Sequence, residues 1–183
     1  MAVAYQPYRF TRDQFYAIAD TFDPQLRYEL LDGTIYQMSP AKPPHAGIVT
    51  FFENRFSILD RAKYLVRAEK ALEIEPDGAP EPDIAVVDFR ADYYGASHPS
   101  GSNAELIIEV GDTERKPREK MRAYMNDGRI PIAWRVDLPN RCVEIWKPMN
   151  ANEPVTILVR EDKFEFAGVT FTVDEVFQTV LRR

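Results

Sequence analysis

The chain has 183 residues, of which 45% are apolar and 28% charged, and its formal net charge is −6. This length and apolar content predict one folded domain, over residues 1–183, with a single sizeable core. The acidic balance argues against general coating of nucleic acid, although a local basic groove is compatible with it.

The cysteine content and the distribution of apolar residues predict the cellular compartment of the protein. Cys142 is the single cysteine, which excludes an internal disulfide framework and a cysteine-based zinc site and fits a reducing compartment. Residues 1–10 are polar and aromatic, without the apolar segment of a signal peptide, and the apolar runs are far shorter than a membrane span. We therefore expect a soluble, cytoplasmic protein with no membrane partner.

The first part of the chain predicts a helix, a hairpin and a second helix. A capping box from Thr11 to Gln14 opens an amphipathic helix predicted over residues 12–21. Residues 27–38 predict two short strands joined at Asp32-Gly33, which is a strong hairpin signal. Residues 39–44 are predicted to form a proline-containing loop, and a second helix is predicted to begin at His45.

Strands predominate in the rest of the chain, with two further helices. A helix is predicted from Pro117 to Gly128, and a capping box from Thr172 to Glu175 opens a C-terminal one. Residues 155–159 and 163–166 predict a hairpin. The other predicted strands are residues 64–67, 71–74, 84–87, 106–110, 130–137 and 141–147, with a loop over residues 89–103. This mixture predicts an α/β or α+β fold with a central mixed sheet flanked by helices.

Two acidic residues stand at strand positions where water should be excluded. Asp83 opens the apolar run that follows it, and Glu109 interrupts another. An isolated buried carboxylate costs several kcal/mol to desolvate unless it is paired, protonated or bound to a metal. Because Mg²⁺ prefers oxygen ligands and often takes only one or two protein carboxylates, these acids predict a Mg²⁺ site.

A basic run follows the second acid within a few residues. Lys116, Arg118, Lys120 and Arg122 fall at helical spacings, so two lines of cations are predicted along the surface of that helix. Such a run is usually a solvated face. Its position beside Glu109 makes binding to an anionic substrate equally reasonable.

Two further polar residues fit either a site or an ordinary surface. Glu29 interrupts a short strand and is read equally well as an outward-facing side chain. His45, at the start of a helix, is more often a capping or surface residue than a ligand, and binding to substrate is the alternative.

Several of these segments together resemble the Uma family of restriction endonucleases, which belongs to the PD-(D/E)XK nuclease superfamily. The resemblance covers nearly the whole chain. It is carried by Ser39-Pro40 with His45 and by RYELLDG at residues 27–33, PEPDIAVV at 80–87, IIEV at 107–110, KMRAY at 120–124 and IPIAWRVD at 130–137.

The resemblance implies a restriction-endonuclease-like core with additional antiparallel hairpins. It also implies a catalytic site in which Asp83, Glu109 and the backbone carbonyl of Val110 hold Mg²⁺, or Mn²⁺ in its place, while Glu29 assists. The superfamily's usual lysine two residues after the second acid is Gly111 here, and the resemblance assigns the cation to Lys120. DNA is the implied substrate, and a homodimer would allow both strands to be cut.

The same residues admit two other functions. One is a nuclease fold that has lost turnover and acts as a binding or assembly module, which the glycine at position 111 and the acidic net charge favour. The other is metal-dependent hydrolysis of a different phosphate ester. The sequence gives no base-reading motif, so sequence-specific cleavage is not predicted.

Overall fold

The structure is a computed structural model that describes residues 6–112 and 115–181, without the side chains of residues 115–117 and 179–181. The helices are α1 (Arg12–Ile18), α2 (Pro43–Phe56), α3 (Arg115–Asp127) and α4 (Val173–Leu181). The strands are β1 (Tyr28–Leu31), β2 (Thr34–Gln37), β3 (Tyr64–Ala68), β4 (Ile84–Asp88), β5 (Ala104–Gly111), β6 (Ala133–Asp137), β7 (Cys142–Trp146), β8 (Thr156–Val159), β9 (Lys163–Phe166) and β10 (Val169–Thr172).

A six-stranded mixed sheet forms the centre of the described chain. Its strand order is β3-β4-β5-β6-β7-β8. The β5–β6 pair is parallel, and the other neighbouring pairs in this sheet are antiparallel. The mixed central sheet predicted from the sequence is therefore confirmed.

The two faces of this sheet are covered by different helices. Ile84 and Val86 of β4 belong to the core cluster that contains Phe52 of α2 and Phe177 of α4. Ala85 of β4 belongs instead to the cluster that contains Met121, Tyr124 and Met125 of α3. Because successive side chains of a strand point to opposite faces, α2 and α4 cover one face and α3 covers the other.

Two hairpins flank the sheet, and one of them differs from its prediction. β1 pairs with β2 as expected, with positive φ angles of 49° at Asp32 and 72° at Gly33 in the two-residue turn. Residues 155–159 and 163–166, however, do not pair with each other. β8 lies beside β7, and β9 pairs with β10 through the turn Ala167-Gly168, where both φ angles are again positive.

Other boundaries also differ from the predictions. Residues 71–74 form no strand and make only isolated bridges, because the segment that faces them carries Pro80 and Pro82, which have no backbone N–H to donate. α2 begins at Pro43, since proline is well tolerated in the first turn of a helix. Both predicted capping boxes form, at Thr11 and at Thr172. None of the described helices is long and apolar enough to cross a membrane.

Candidate functional site

Strand pairing places the two predicted acids side by side. Ile84 of β4 is the register partner of Ile108 in β5, so the next step along the antiparallel pair brings Asp83 opposite Glu109. Both residues are buried, with 8% and 5% of their surfaces exposed. The sequence expectation that two carboxylates lie together in a water-poor environment thus has a direct geometric basis.

α3 supplies two donors to Glu109 from above the sheet. Lys120 Nζ lies 2.9 Å from Glu109 Oε1, and the Tyr124 hydroxyl donates to the same oxygen at 2.7 Å. The two residues are four positions apart and therefore project from the same face of the helix. That face is buried, since Lys120 is 9% exposed and Tyr124 fully enclosed, so the predicted surface line of cations is wrong at Lys120.

Glu29 reaches the same ammonium from β1. Backbone hydrogen bonds between Leu30 and Ala79 hold β1 against the segment that precedes Asp83. Glu29 Oε2 lies 3.1 Å from Lys120 Nζ and accepts from the Glu81 backbone N–H at 3.2 Å. Lys120 therefore joins three elements of the fold at one point.

Asp83 accepts from donors that come from β5 and α2 and differ from those of Glu109. Its Oδ2 accepts from the backbone N–H of Val110 at 2.6 Å, and His45 Nε2 from the first turn of α2 lies 3.1 Å from it. In the parallel pair, Leu138 donates to the carbonyl of Gly111, so alternate residues of β5 bond to β6. The backbone N–H and C=O of Val110 consequently face the Asp83 side.

The ionisation of these groups is shifted by burial and by their neighbours. Burial raises the pKa of the Glu109 carboxyl to about 8, although the Lys120 charge and the Tyr124 hydrogen bond oppose the shift. Burial opposes protonation of Lys120, but the charges of Glu109, Glu29 and Asp83 outweigh it and raise its pKa above the ordinary value. The Lys120 ammonium thus remains charged at neutral pH.

His45 shows the same competition between burial and a carboxylate. Burial lowers the tendency of its imidazole to protonate, but the hydrogen bond to Asp83 and the charges of Asp83 and Glu109 raise its pKa overall. The imidazole is therefore biased towards the form that donates to Asp83.

A cavity of about 480 Å³ opens beside Asp83 and His45. Cationic side chains at its wall include Arg27, which bonds to Glu69 and Glu81, and Lys42, whose Nζ lies 3.0 Å from Asp112 Oδ2. The cavity therefore combines the buried carboxylate of Asp83 with cations at its wall, as a site for an anionic group would require.

The other cations predicted on α3 do not reach Asp83 and Glu109, or their side chains lie outside the described residues. Arg118 Nη2 donates to the buried Glu144 at 2.7 Å, and Glu144 also contacts Arg135. Arg122 Nε donates to the Asn152 carbonyl and lines a second cavity. The Lys116 side chain lies outside the described residues. The structure therefore gives Arg118 and Arg122 protein partners and does not bring them to Asp83.

Two contributors were missed by sequence reasoning. Tyr124 enters the sequence analysis only as part of the KMRAY segment at residues 120–124, and the Glu81 carbonyl, which accepts from Lys120 Nζ at 2.9 Å, does not enter it. A buried-type residue one turn after a lysine was the available signal for Tyr124. Nothing in the sequence marks a particular backbone carbonyl.

The ligand atoms at this site are oxygens of the kind that a hard divalent cation prefers. No group of three or more His, Cys, Asp and Glu side chains in the described parts of the chain is arranged to hold a metal ion, so a closed protein cage is not formed there. Two adjacent carboxylates and a backbone carbonyl are, however, hard oxygen ligands, and Mg²⁺ normally completes its shell with water. The residues present therefore fit Mg²⁺ better than a transition metal that requires imidazole or thiolate.

Comparison with known proteins gives a family and a shared fold. A sequence model described as "Uma2: Putative restriction endonuclease" matches residues 12–174. A solved structure described as "a putative nuclease belonging to DUF820 from Anabaena variabilis ATCC 29413" is similar to this chain, with a TM-score of 0.73 and 15% identity over 94% of this chain and 99% of the other. No curated protein matches the chain. Because the family model spans most of its length, the chain belongs to the Uma2 family, whose description is that of a restriction-endonuclease-like nuclease.

Proposed function

We propose that the protein is a Mg²⁺-dependent endonuclease that hydrolyses phosphodiester bonds in DNA, with Mn²⁺ able to replace Mg²⁺. The observation that carries the proposal is the convergence of Asp83, which immediately precedes β4, with Glu109 of the adjacent β5, and the position of Lys120 2.9 Å from Glu109. Buried carboxylates beside a retained ammonium suit the hydrolysis of a charged ester better than they suit a structural core.

In this proposal Asp83, Glu109 and the carbonyl of Val110 hold the cation. Bound there, Mg²⁺ supplies an acidified water and neutralises negative charge on the phosphate. Lys120 places a compact positive charge beside Glu109, where it can stabilise the pentavalent phosphate or orient the attacking water. Glu29 keeps Lys120 in place through its 3.1 Å contact.

The wall of the cavity provides the means of binding the rest of the substrate. Arg27 and Lys42 line the same space as Asp83. Each is engaged with a carboxylate, and exchange of that partner for a phosphate oxygen would anchor the backbone of a nucleic acid. Such contacts carry no base information, which fits a nuclease whose sequence contains no base-reading motif.

The second candidate function is a nuclease fold without turnover. It is favoured by the three oxygen contacts of Lys120, to Glu109, Glu29 and the Glu81 carbonyl, because these already compensate buried acids inside the protein. A binding or assembly protein could keep this ion-pair cluster for stability alone. The two functions differ in whether Asp83 is needed for a reaction.

Nicking of supercoiled plasmid in Mg²⁺ or Mn²⁺ tests the proposal. We expect the wild type to nick the plasmid and Asp83→Asn to lose at least about 100-fold in rate, since an isosteric amide removes the ligand charge. Asp32→Asn is the matched control, because Asp32 lies exposed in a turn and pairs with Arg9. No cleavage by the wild type on plasmid, single-stranded DNA or RNA, with Mn²⁺ bound, would favour the binding protein.

A further inference from the structure

The two acids share a pattern of hydrogen bonding that their proposed roles do not explain. On Asp83, both recorded donors, Val110 N–H and His45 Nε2, approach Oδ2. On Glu109, both recorded donors, Lys120 Nζ and the Tyr124 hydroxyl, approach Oε1. Among these contacts of the described residues, each carboxylate is thus held through one oxygen while its other oxygen is left to a further ligand.

We infer that His45 and Tyr124 are positioning residues that fix the carboxylates of Asp83 and Glu109 so that the second oxygen of each faces the cation. The inference rests on the proposed function. A backbone amide and an ammonium supply the first donor on each acid, but one donor leaves a carboxylate free to rotate about its terminal torsion, which is broad and roughly two-fold. A second donor from another element restricts that rotation.

Tyr124 is placed for this purpose by the packing of α3. Its ring belongs to an apolar cluster with Met121 and Ile107, where a phenylalanine would pack equally well. The hydroxyl is the only polar atom of that side chain, and it donates to Glu109 at 2.7 Å. Burial of a hydroxyl is unfavourable without a partner, so the hydroxyl stabilises the structure only by way of Glu109.

His45 is placed by the first turn of α2. The helix packs on the opposite face of the sheet from α3, so the two positioning residues approach the acids from opposite sides. His45 Nδ1 is buried and has no hydrogen-bond partner in the described structure. The imidazole is therefore oriented by its Nε2 contact with Asp83. A histidine that binds substrate would instead be oriented by a protein partner at one ring nitrogen and would leave the other nitrogen free for the substrate.

The dissociation constant for Mn²⁺, measured by calorimetry and by electron paramagnetic resonance, tests the inference. We expect Tyr124→Phe and His45→Ala each to weaken Mn²⁺ binding by roughly 10–100-fold, as is usual when a partner of a ligand is removed. His45→Gln can return an N–H near the position of Nε2 and should restore part of the loss. The Mn²⁺ concentration that gives half-maximal nicking should move with the dissociation constant.

Tyr94→Phe provides the matched control. Tyr94 is also a buried tyrosine, and its hydroxyl donates to the Asp88 carbonyl at 3.1 Å, at the end of β4 away from Asp83. It should lose stability without a change in Mn²⁺ affinity. Thermal unfolding of every variant shows whether it is folded at the temperature of the titration, and if Tyr124→Phe is not, the His45 pair decides the matter.

The outcomes separate this inference from the proposed function. Mn²⁺ binding by the wild type that is equally tight in Tyr124→Phe and His45→Ala would overturn the positioning roles and leave the nuclease standing. Equal weakening in Tyr94→Phe would overturn them also, since general loosening would then explain the effect. A wild type that binds no Mn²⁺, with or without DNA, would refute both.

Discussion

Replacing Glu109 by glutamine should make the metal-free protein more stable at neutral pH. The folded carboxyl has a pKa of about 8 against an ordinary value of 4.5, so at pH 7 it holds a proton that the unfolded chain has released. Proton uptake makes folding less favourable at each pH above the unfolded pKa, by on the order of a few kcal/mol at pH 7. Glutamine is neutral at every pH and keeps a carbonyl oxygen for Lys120 and Tyr124.

The sign of the pH dependence follows from the raised pKa. The contribution of Glu109 to stability is fully present below pH 4.5 and is lost as the pH rises towards 8. The free energy of unfolding of Glu109→Gln should therefore exceed that of the wild type by an amount that grows by roughly 1 kcal/mol per pH unit over this window. Above pH 8 the difference should level off.

Urea unfolding of both proteins at pH 5, 6, 7 and 8 without metal measures this difference. Glu165→Gln, on the exposed side of β9, is the control and should show no such trend. A difference that does not change with pH would refute the reasoning. So would a glutamine variant less stable than the wild type at pH 7, because the carboxylate would then be stabilised by Lys120 rather than penalised by burial.

Three further predictions concern the metal, the thiol and the core. Mn²⁺ at 100 times its dissociation constant should raise the stability of the wild type by about 2.7 kcal/mol, and the Asp83→Asn variant should show no comparable increase in urea unfolding. Burial raises the pKa of the Cys142 thiol to about 11 from 9.0. At pH 8 the alkylation of this thiol by iodoacetamide, followed by mass spectrometry, should therefore be about 100-fold slower in the folded than in the urea-unfolded protein. Equal alkylation rates would contradict the burial of the thiol. Phe52 is fully buried against Phe56, Trp134 and Phe171. The substitution Phe52→Ala should therefore lower the free energy of unfolding by about 3–5 kcal/mol. A loss below about 1 kcal/mol would show that this aromatic cluster is not the core.

The acids were predictable from the sequence because a carboxylate inside an apolar strand is conspicuous and unfavourable. Asp83 and Glu109 needed only that argument, and their neighbouring positions follow from the pairing of β4 with β5. The catalytic roles assigned to them, to Lys120 and to Glu29 stay predictions. The mixed sheet and its helices were likewise predictable, because apolar periodicity and capping boxes are local signals.

The features that could not be predicted from the sequence depend on how elements distant in the chain pack against each other. Tyr124 becomes a donor to Glu109 only because α3 packs over the part of the sheet that contains Glu109. Helical spacing alone could not distinguish the buried face of α3 from a solvated face. The pairing of β8 with β7 instead of β9 was missed for a similar reason. The apolar run of β8 is compatible with either partner, and the choice is made by the tight turn at Ala167-Gly168 and by the packing of Phe164 on Trp134.

The proposed catalytic ammonium and the acids beside it belong to different elements of the fold. Glu109 belongs to β5 and Asp83 immediately precedes β4, whereas Lys120 belongs to α3, which packs on the sheet through Met121 and Met125. A displacement of about 1 Å can cost 100-fold in rate without unfolding a protein. Under the proposed function, the volumes of Met121 and Met125 would therefore affect the position of Lys120 and, through it, the rate of hydrolysis. Substitutions at these two methionines could then lower a hydrolytic activity while every polar residue of the site stayed in place.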